Sequence, residues 1–359
     1  MLVFNPLNDH YPEPVNSFQE EVFDFCLQWK LGKNEFLFHT SGSTGKPKPI
    51  YLSRLSMIES ANMTKEWLNL QEGDHVLLCL PIEYIAGAMM LVRALVLKLN
   101  IVLVEPSQNP LKSIKKPINI NLASFVTTQW STILQSKINL FTFFSEVKGI
   151  LIGGSELTSS VELLTKEIEF PIFQTYGMTE TSSHIAFRLI SSEDAIYQCL
   201  KGVQIKLNDQ CCLCIYSPST LNQWIETNDV AELIHENQFS ILGRKDFVIN
   251  SGGRKIHPEL IEKCCQLFFA QHSIFCKIFA YGLHDDFYGQ KLVLFIETKD
   301  EFHFQLQLID YLKLNLESWE VPKQFIVLPE FLYTKSGKID RPNTLTLYLN
   351  NLKSSTWIF

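Results

Sequence analysis

The chain has no excess of basic charge. Its 31 lysines and arginines are outnumbered by 38 aspartates and glutamates, a formal net charge of -7 at pH 7. That argues against a nucleic-acid partner, because proteins that neutralise phosphates carry a basic face; the Lys115-Lys116 pair reads as a solvated turn. No unbroken apolar run is long enough to cross a bilayer. The longest, Tyr84 to Val104, is interrupted by Arg93, Lys98 and Asn100. Charges in hydrocarbon cost roughly 2.5 to 3.5 kcal/mol each near its centre, so a buried helix and strand is expected there, with no membrane insertion. Met1 to Pro14 has acidic and proline breaks where a cleavable signal needs an apolar stretch of about 7 to 15 residues. The chain shows no internal repeat, no low-complexity tract and no Ser-His-Asp or Cys-His nucleophile arrangement. Its nine histidines are scattered without ligand spacing, so no structural metal is expected. The nine cysteines mostly sit inside apolar runs and read as reduced thiols in a cytosolic, cytoplasmic core.

What is present is the composition of a folded protein, with 46% hydrophobic and 19% charged residues over 359 positions. That length suits two domains of roughly 100 to 200 residues. Strand-like runs at Phe36 to His39, His75 to Leu80, Ile101 to Glu105, Ser124 to Thr127 and Gly149 to Ile152 alternate with helix-length segments. The helix candidates are Ser53 to Leu70, Gly87 to Leu99, Trp130 to Gln135 and Glu156 to Ile168. Such alternation predicts an α/β fold with helices covering a sheet. Beyond Thr227 the texture changes. A helix over Pro258 to Ala270, strands around Ile274 to Tyr281 and Leu292 to Glu297, and a helix over Phe304 to Leu316 predict a small α+β unit, with the boundary at Arg244 to Asp246.

Four segments carry chemistry. Thr40-Ser41-Gly42-Ser43-Thr44-Gly45-Lys46-Pro47-Lys48-Pro49 directly follows a strand. Its glycines allow N-H groups to converge, and its hydroxyls and lysines add donors suited to a triphosphate. It is not a Walker A loop, which needs glycine at 40 and Ser or Thr at 47; alone, such a stretch also reads as an ordinary turn. In Gln174-Thr175-Tyr176-Gly177-Met178-Thr179-Glu180-Thr181, an aromatic face suits a base, and a hydroxyl beside a carboxylate suits a phosphate oxygen and a magnesium ion. The alternative there is a helix cap, with Thr179 capping and Glu180 in the first turn. Upstream, Gly153-Gly154-Ser155 ends a strand, as backbone must where it approaches a flat ligand. Asp229 and Arg244 suit the hydroxyls of a ribose, or form a surface ion pair. In Thr334-Lys335-Ser336-Gly337-Lys338-Ile339-Asp340-Arg341, Lys338 on a glycine-hinged loop can stabilise charge developing on phosphate, or is a solvated basic turn.

In this order the segments resemble the adenylate-forming superfamily of acyl-CoA synthetases, peptide-synthetase adenylation domains and luciferases. The signatures are Thr40 to Lys48, Tyr176 to Glu180, Asp229, Gly243-Arg244-Lys245-Asp246 with Gly252-Gly253, and Gly337-Lys338. The likeness covers nearly the whole chain, with the family's usual N-terminal segment of about a hundred residues missing. Within the superfamily the chain is most similar to a short o-succinylbenzoate-CoA ligase of menaquinone biosynthesis. That narrower likeness rests on Leu80-Pro81-Ile82-Glu83-Tyr84-Ile85-Ala86-Gly87 and on Arg93, six positions after Gly87.

The resemblance implies a large N-terminal α/β domain over 1–243 and a small mobile C-terminal α+β domain over 244–359. It implies an acid-thiol ligase using ATP, Mg²⁺ and coenzyme A on a small carboxylic acid. Thr40, Ser41, Gly42, Ser43, Thr44, Gly45 and Lys46 would hold the β and γ phosphates, Thr179 the α-phosphate, and Glu180 the magnesium. Gly153, Gly154, Ser155, Gln174, Thr175, Tyr176 and Gly177 would wall the adenine and acyl group, while Asp229 and Arg244 would hold ribose. Lys338 would stabilise the adenylation transition state, Asp246 would be the hinge, and Gly252-Gly253 would border the coenzyme A tunnel. Tyr84, Gly87 and Arg93 would face the acid, Arg93 reading a second carboxylate. Departures from the pattern are Tyr84 at the gate, Cys212-Leu213-Cys214 in place of Gly-Glu-Leu, and Asn228 in place of glycine. The rivals are a superfamily enzyme with another acid or a carrier-protein thiol, and a nucleotide-binding regulatory protein without activity.

Overall fold

The computed structural model describes residues 1–359 except 40–47, 193, 273, 275, 300–301, 334–338 and 356–359. The described residues divide into two compact units. The first holds the described part of 1–227 with Ala231–Ser240; the second holds Asn228–Val230 and the described part of Ile241–Phe359.

In chain order the elements begin with β1 (Leu2–Phe4), α1 (Ser17–Lys30), β2 (Glu35–His39), β3 (Pro49–Ser53), α2 (Arg54–Leu68), β4 (His75–Leu78), α3 (Ile85–Leu97) and β5 (Asn100–Leu103). Then come β6 (Leu122–Val126), α4 (Thr127–Gln135), α5 (Phe141–Phe144), β7 (Gly149–Gly153), α6 (Ser159–Lys166), β8 (Ile172–Met178) and β9 (Ser183–Leu189). The strands β10 (Tyr197–Cys199), β11 (Gln204–Leu207), β12 (Cys212–Tyr216), β13 (Trp224–His235) and β14 (Gln238–Arg244) follow. One large sheet has the order β1-β5-β4-β6-β7-β8-β9-β10-β14-β13-β12-β11. Its β5-β4-β6-β7-β8 part is parallel, and β9 turns back antiparallel to β8.

The parallel part forms because β4 to β7 are short apolar runs that tolerate burial on both faces. Leu77, Val102, Ala123, Phe125, Ile150 and Ile152 join Trp130 and Ile133 of α4 in one buried cluster. Helix ends follow local chemistry. Ser53 caps α2 by accepting from Ser56 N-H at 3.0 Å, and Asn69 ends it in the left-handed conformation. The apolar run around Arg93 is indeed a helix and a strand, α3 then β5, parted by Lys98 at φ 58°. The last expected helix of this unit starts three residues late, at Ser159 after Thr158, in place of Glu156.

The second unit continues with β15 (Ile249–Ser251), β16 (Arg254–Ile256), α7 (Pro258–Gln271), β17 (Lys277–Asp285), β18 (Gly289–Glu297), α8 (Gln305–Asn315), β19 (Gln324–Leu328) and α9 (Arg341–Ser355). Its sheet runs β16-β15-β18-β17, with β19 parallel to β18. Ile261, Cys265 and Phe268 of α7 and Leu308 and Leu312 of α8 bury one face. Leu345 and Tyr348 of α9, a helix that sequence patterning does not announce, pack on the other face against Phe279 and Phe295.

Seven of the nine cysteines are buried. Cys211 and Cys214 have the C-x-x-C spacing of a thiolate pair, yet Cys211 is exposed while Cys214 is buried in β12. Among the described residues no helix is long and apolar enough to cross a membrane.

Candidate active site

In sheets of parallel strands, ligand crevices open at the carboxyl ends of the strands, where loops leave the sheet and backbone polar groups are unpaired. In the first unit that edge gathers several of the residues the sequence singles out. β4 leads to Pro81-Tyr84, β6 to Thr127, β7 to Gly153-Gly154-Ser155, and β8 to Met178-Thr179-Glu180.

The backbone here is close-packed. A Cβ on Gly153 would stand 2.7 Å from Thr175 Oγ1, and Gly154 has φ +90°. Thr175 donates to the Ile152 carbonyl (3.3 Å), and the Ser155 and Thr127 hydroxyls are 2.6 Å apart. On β8 the register shifts between Tyr176 and Gly177. A Cβ on Gly177 would meet Ser183 O at 2.2 Å, so only glycine lets the two strands touch.

Between β8 and β9, Thr179–Thr181 is a single 3-10 turn, so the helix-cap reading of Thr179 does not hold. Thr181 does the capping instead: it accepts from Met178 N-H at 3.0 Å and donates to Ser183 O at 2.6 Å. Ser182 and Ser183 follow at φ 53° and 89°. Consecutive positive φ values outside glycine are costly and collect at functional sites. Thr179 is buried and Glu180 half-buried beside it. Tyr176 packs on Tyr197 and Phe239, with ring centroids 5.7 and 5.1 Å away. Gln174 is buried and accepts from Arg188, which also holds Glu162 through two bonds of 2.9 and 3.1 Å. Its side chain thus ties β8 and β9 to α6.

Tyr84 caps α3 and is exposed, and the charge of Glu83, then burial, raises its phenol pKa. Gly87 packs the first turn of α3 onto the Pro81 carbonyl, where a Cβ would stand at 2.3 Å. Arg93 is 1% exposed. Its Nε donates to Thr64 Oγ1 at 3.1 Å, and Nη2 lies 3.4 Å from Ser183 Oγ and from both ring nitrogens of His184. Among the described residues no acidic side chain pairs with it, and burial pushes its pKa down to about 9. Sequence reasoning missed Thr64, Ser183 and His184. The available signal was a polar row, Ser56, Ser60 and Thr64, at four-residue spacing in an otherwise core-forming helix.

In the second unit Arg244 donates to Asp229 at 3.3 Å and to Asp246 at 2.8 Å, while its own N-H donates to Glu259 at 3.2 Å. Asp229, Arg244 and Asp246, to which the resemblance assigns separate roles, therefore form one cluster. Gly252 and Gly253 have φ 56° and 80°, and Gly252 N-H donates to the Tyr288 carbonyl at 2.9 Å. Thr40 to Lys46 and Lys338 lie outside the described residues. The described residues on either side of 334–338 are bonded to the second unit. Tyr333 and Ile339 pair as an antiparallel bridge, Asp340 N-H donates to Leu332 O at 2.8 Å, and Arg341 pairs with Glu262 at 2.9 Å.

Compared with known proteins, residues 28–214 match the sequence profile described as AMP-binding enzyme. The chain belongs to that family. Its relatives among the AMP-binding enzymes include the 2-succinylbenzoate–CoA ligases of Listeria monocytogenes and Bacillus cereus. The first is 28% identical, over 87% of this chain and 70% of that protein; the second is 25% identical, over 92% and 73%. An acyl-CoA synthetase (AMP-forming)/AMP-acid ligase II-like protein from Dyadobacter fermentans is similar in structure. It is 33% identical with a TM-score of 0.64, over 96% of this chain and 99% of that one. The o-succinylbenzoate CoA synthetase of Bacillus subtilis, solved with the acyl-adenylate OSB-AMP, shares the fold at 24% identity and TM-score 0.75, over 86% and 68%. Membership of the AMP-binding enzymes accounts for the α/β fold with a smaller second unit.

Proposed function

We propose that the protein is an ATP-dependent acid-CoA ligase working through an acyl-adenylate, with 2-succinylbenzoate as its acid and a place in menaquinone biosynthesis. The observation that carries the substrate assignment is Arg93, a guanidinium enclosed beneath the acyl edge with no acidic partner among the described residues. A buried cation without a carboxylate is costly unless a ligand supplies one. The curated relatives' names point to the same dicarboxylic acid. We place the reaction in the cytoplasm, where the buried thiols stay reduced.

The chemistry needs no enzyme nucleophile. The substrate carboxylate attacks the α-phosphorus of ATP, pyrophosphate leaves, and the thiol of coenzyme A then attacks the carbonyl of the mixed anhydride while AMP leaves. The protein positions reactants and stabilises charge. Gly153, Gly154 and Gly177 let the strands that carry the crevice pack closely. Tyr176, braced by Tyr197 and Phe239, offers an aromatic face to adenine, and Ser155 and Thr175 line the wall, with Gln174 holding it from behind. Thr179 would hold the α-phosphate. Asp229 and Arg244 would hold ribose, and Ser41 to Lys46 the outer phosphates.

Mg²⁺ fits Glu180. Among the described residues no group of three His, Cys, Asp or Glu forms a protein cage, and this ion needs only one or two carboxylates when phosphates complete its shell. It supplies neutralisation of phosphate charge. Lys338 would stabilise the first transition state. A swing at Asp246 would then remove Lys338 and bring Gly252-Gly253 to the thiol path.

The test is pyrophosphate exchange into ATP, measured across a panel of acids. Exchange dependent on 2-succinylbenzoate is expected. Nucleotide binding without exchange for any acid would instead identify an inactive regulatory protein.

A further inference from the structure

A seam of polar side chains runs through the apolar interior between α2, α3 and β9. Ser60 Oγ donates to Ser182 O at 2.7 Å, Ser182 Oγ donates to Ser56 Oγ at 3.1 Å, and His184 Nε2 lies 2.8 Å from Thr64 Oγ1. Ser56, Ser60, Thr64, Ser182, His184 and Arg93 are all at most 4% exposed. A buried polar row of this length is expensive unless fully bonded, so its proton count is informative.

Thr64 has one hydroxyl proton and accepts from Arg93 Nε at 3.1 Å. Its carbonyl partner is Ser60 O, one turn back at 3.0 Å. With the proton committed there, the contact to His184 requires Nε2-H as donor. That assigns the tautomer and leaves Nδ1 without a proton, 3.4 Å from Ser183 Oγ and from Arg93 Nη2, which is equally far from Nε2. Thr64 faces the ring from α2, Arg93 from α3, and Ser183 and Phe187 from β9, the Phe187 ring 4.6 Å away. Arg93 is the charged group among them. Burial, and secondarily that charge, hold the imidazole pKa well below its ordinary value, so it is neutral at pH 7.

A carboxylate can span two donors 3.4 Å apart, one oxygen to each. Arg93 Nη2 offers one donor already, and His184 Nδ1 becomes the other once protonated. We propose that His184 is a second recognition group for the distal carboxylate of the acid, which it meets alongside Arg93 by taking one proton from solvent onto Nδ1. This rests on the reading above that Arg93 receives that carboxylate. Met90 lies over the guanidinium, its sulfur 3.7 Å from Arg93 Nη1; an unbranched thioether moves aside readily, and the carboxylate would enter by displacing it. Binding of a dianionic acid then carries a proton with it, and affinity rises as pH falls, by up to tenfold per unit while His184 is neutral in the unbound protein and charged in the complex.

The test is calorimetric titration of the full chain with 2-succinylbenzoate in buffers of different ionisation enthalpy, beside benzoate as a monocarboxylate. About one proton taken up with 2-succinylbenzoate and about none with benzoate is expected. His184→Gln, which keeps a neutral donor, should bind with no uptake and a flat pH profile between 6 and 8. No uptake by the unaltered protein, despite Arg93-dependent preference for 2-succinylbenzoate, overturns the role of His184 and leaves that of Arg93 intact. Loss of neither affinity nor preference in Arg93→Met overturns both. Because the measurement on the unaltered protein decides alone, a poorly folding variant does not blunt it.

Discussion

Replacing Arg93 by methionine should make the protein more stable and a worse enzyme. At neutral pH the guanidinium is charged inside a seam that pushes its pKa down to about 9. That is roughly three and a half decades below its ordinary value, which corresponds to about 5 kcal/mol of unfavourable burial at about 1.4 kcal/mol per decade. Bonds to Thr64 and Ser183, worth about 1 kcal/mol each, offset part of it. Methionine has similar length, fills the same space beside Met90 and removes the charge, so a net gain of about 1 to 4 kcal/mol is expected, as for other buried ions replaced by apolar groups. At about 2 to 4 °C per kcal/mol, Tm should rise by several degrees. The sign with pH also follows. The penalty is present in full below about pH 9 and fades as pH rises through the lowered pKa, because the unfolded chain then binds more protons than the folded one. The stability gap between variant and parent should be flat from pH 6 to 8 and shrink above pH 9. Recognition moves the other way. Losing a buried cation opposite a carboxylate costs about 2 to 5 kcal/mol, or about 30-fold to several thousand-fold in kcat/KM for 2-succinylbenzoate. Benzoate turnover should change only a few-fold. Thermal unfolding and pyrophosphate exchange on the two acids measure both effects. A clear fall in Tm would mark Arg93 as a structural strut, and equal losses on both acids would remove it from the acid pocket.

Three further substitutions probe the rest of the site. Gly177→Ala places a Cβ 2.2 Å from the Ser183 carbonyl and 2.6 Å from His184 Cα. Backbone atoms cannot swing away, so a loss of about 1 to 3 kcal/mol in thermal unfolding, with lower exchange activity, is expected; an unchanged Tm would contradict the strand contact. Asp229→Ala should weaken AMP binding in calorimetry by about 10- to 100-fold, the worth of a charged hydrogen bond, and intact affinity would exclude it from the ribose site. Lys338→Ala should depress adenylate formation by at least about a hundredfold yet spare thioester formation from supplied acyl-adenylate, and equal loss of both half-reactions would refute its proposed role.

Much of this protein is legible in its sequence because secondary structure and loop chemistry are local. The apolar runs of β4 to β7, the capping Ser53, the strand-ending Gly153-Gly154 and the aromatic-glycine stretch before Glu180 each depend on neighbours a few positions away. Motif order along the chain was enough to reach the family. Tertiary structure alone decided the rest. It turned β9 back against β8 where a helix start at Thr179 was an open alternative. It set Gln174 behind the wall with Arg188, and covered the second sheet with α9, whose residues carry little apolar periodicity. Above all it brought together Ser60 with Ser182, 122 positions apart, and Arg93 with His184, 91 apart. Period and capping encode which face of a helix is buried, but not what meets it there. A lone arginine in an apolar helix reads as an interruption of a hydrophobic run until the fold supplies hydroxyls and an imidazole around it, and its partners come from strand pairing that no window of neighbouring residues contains.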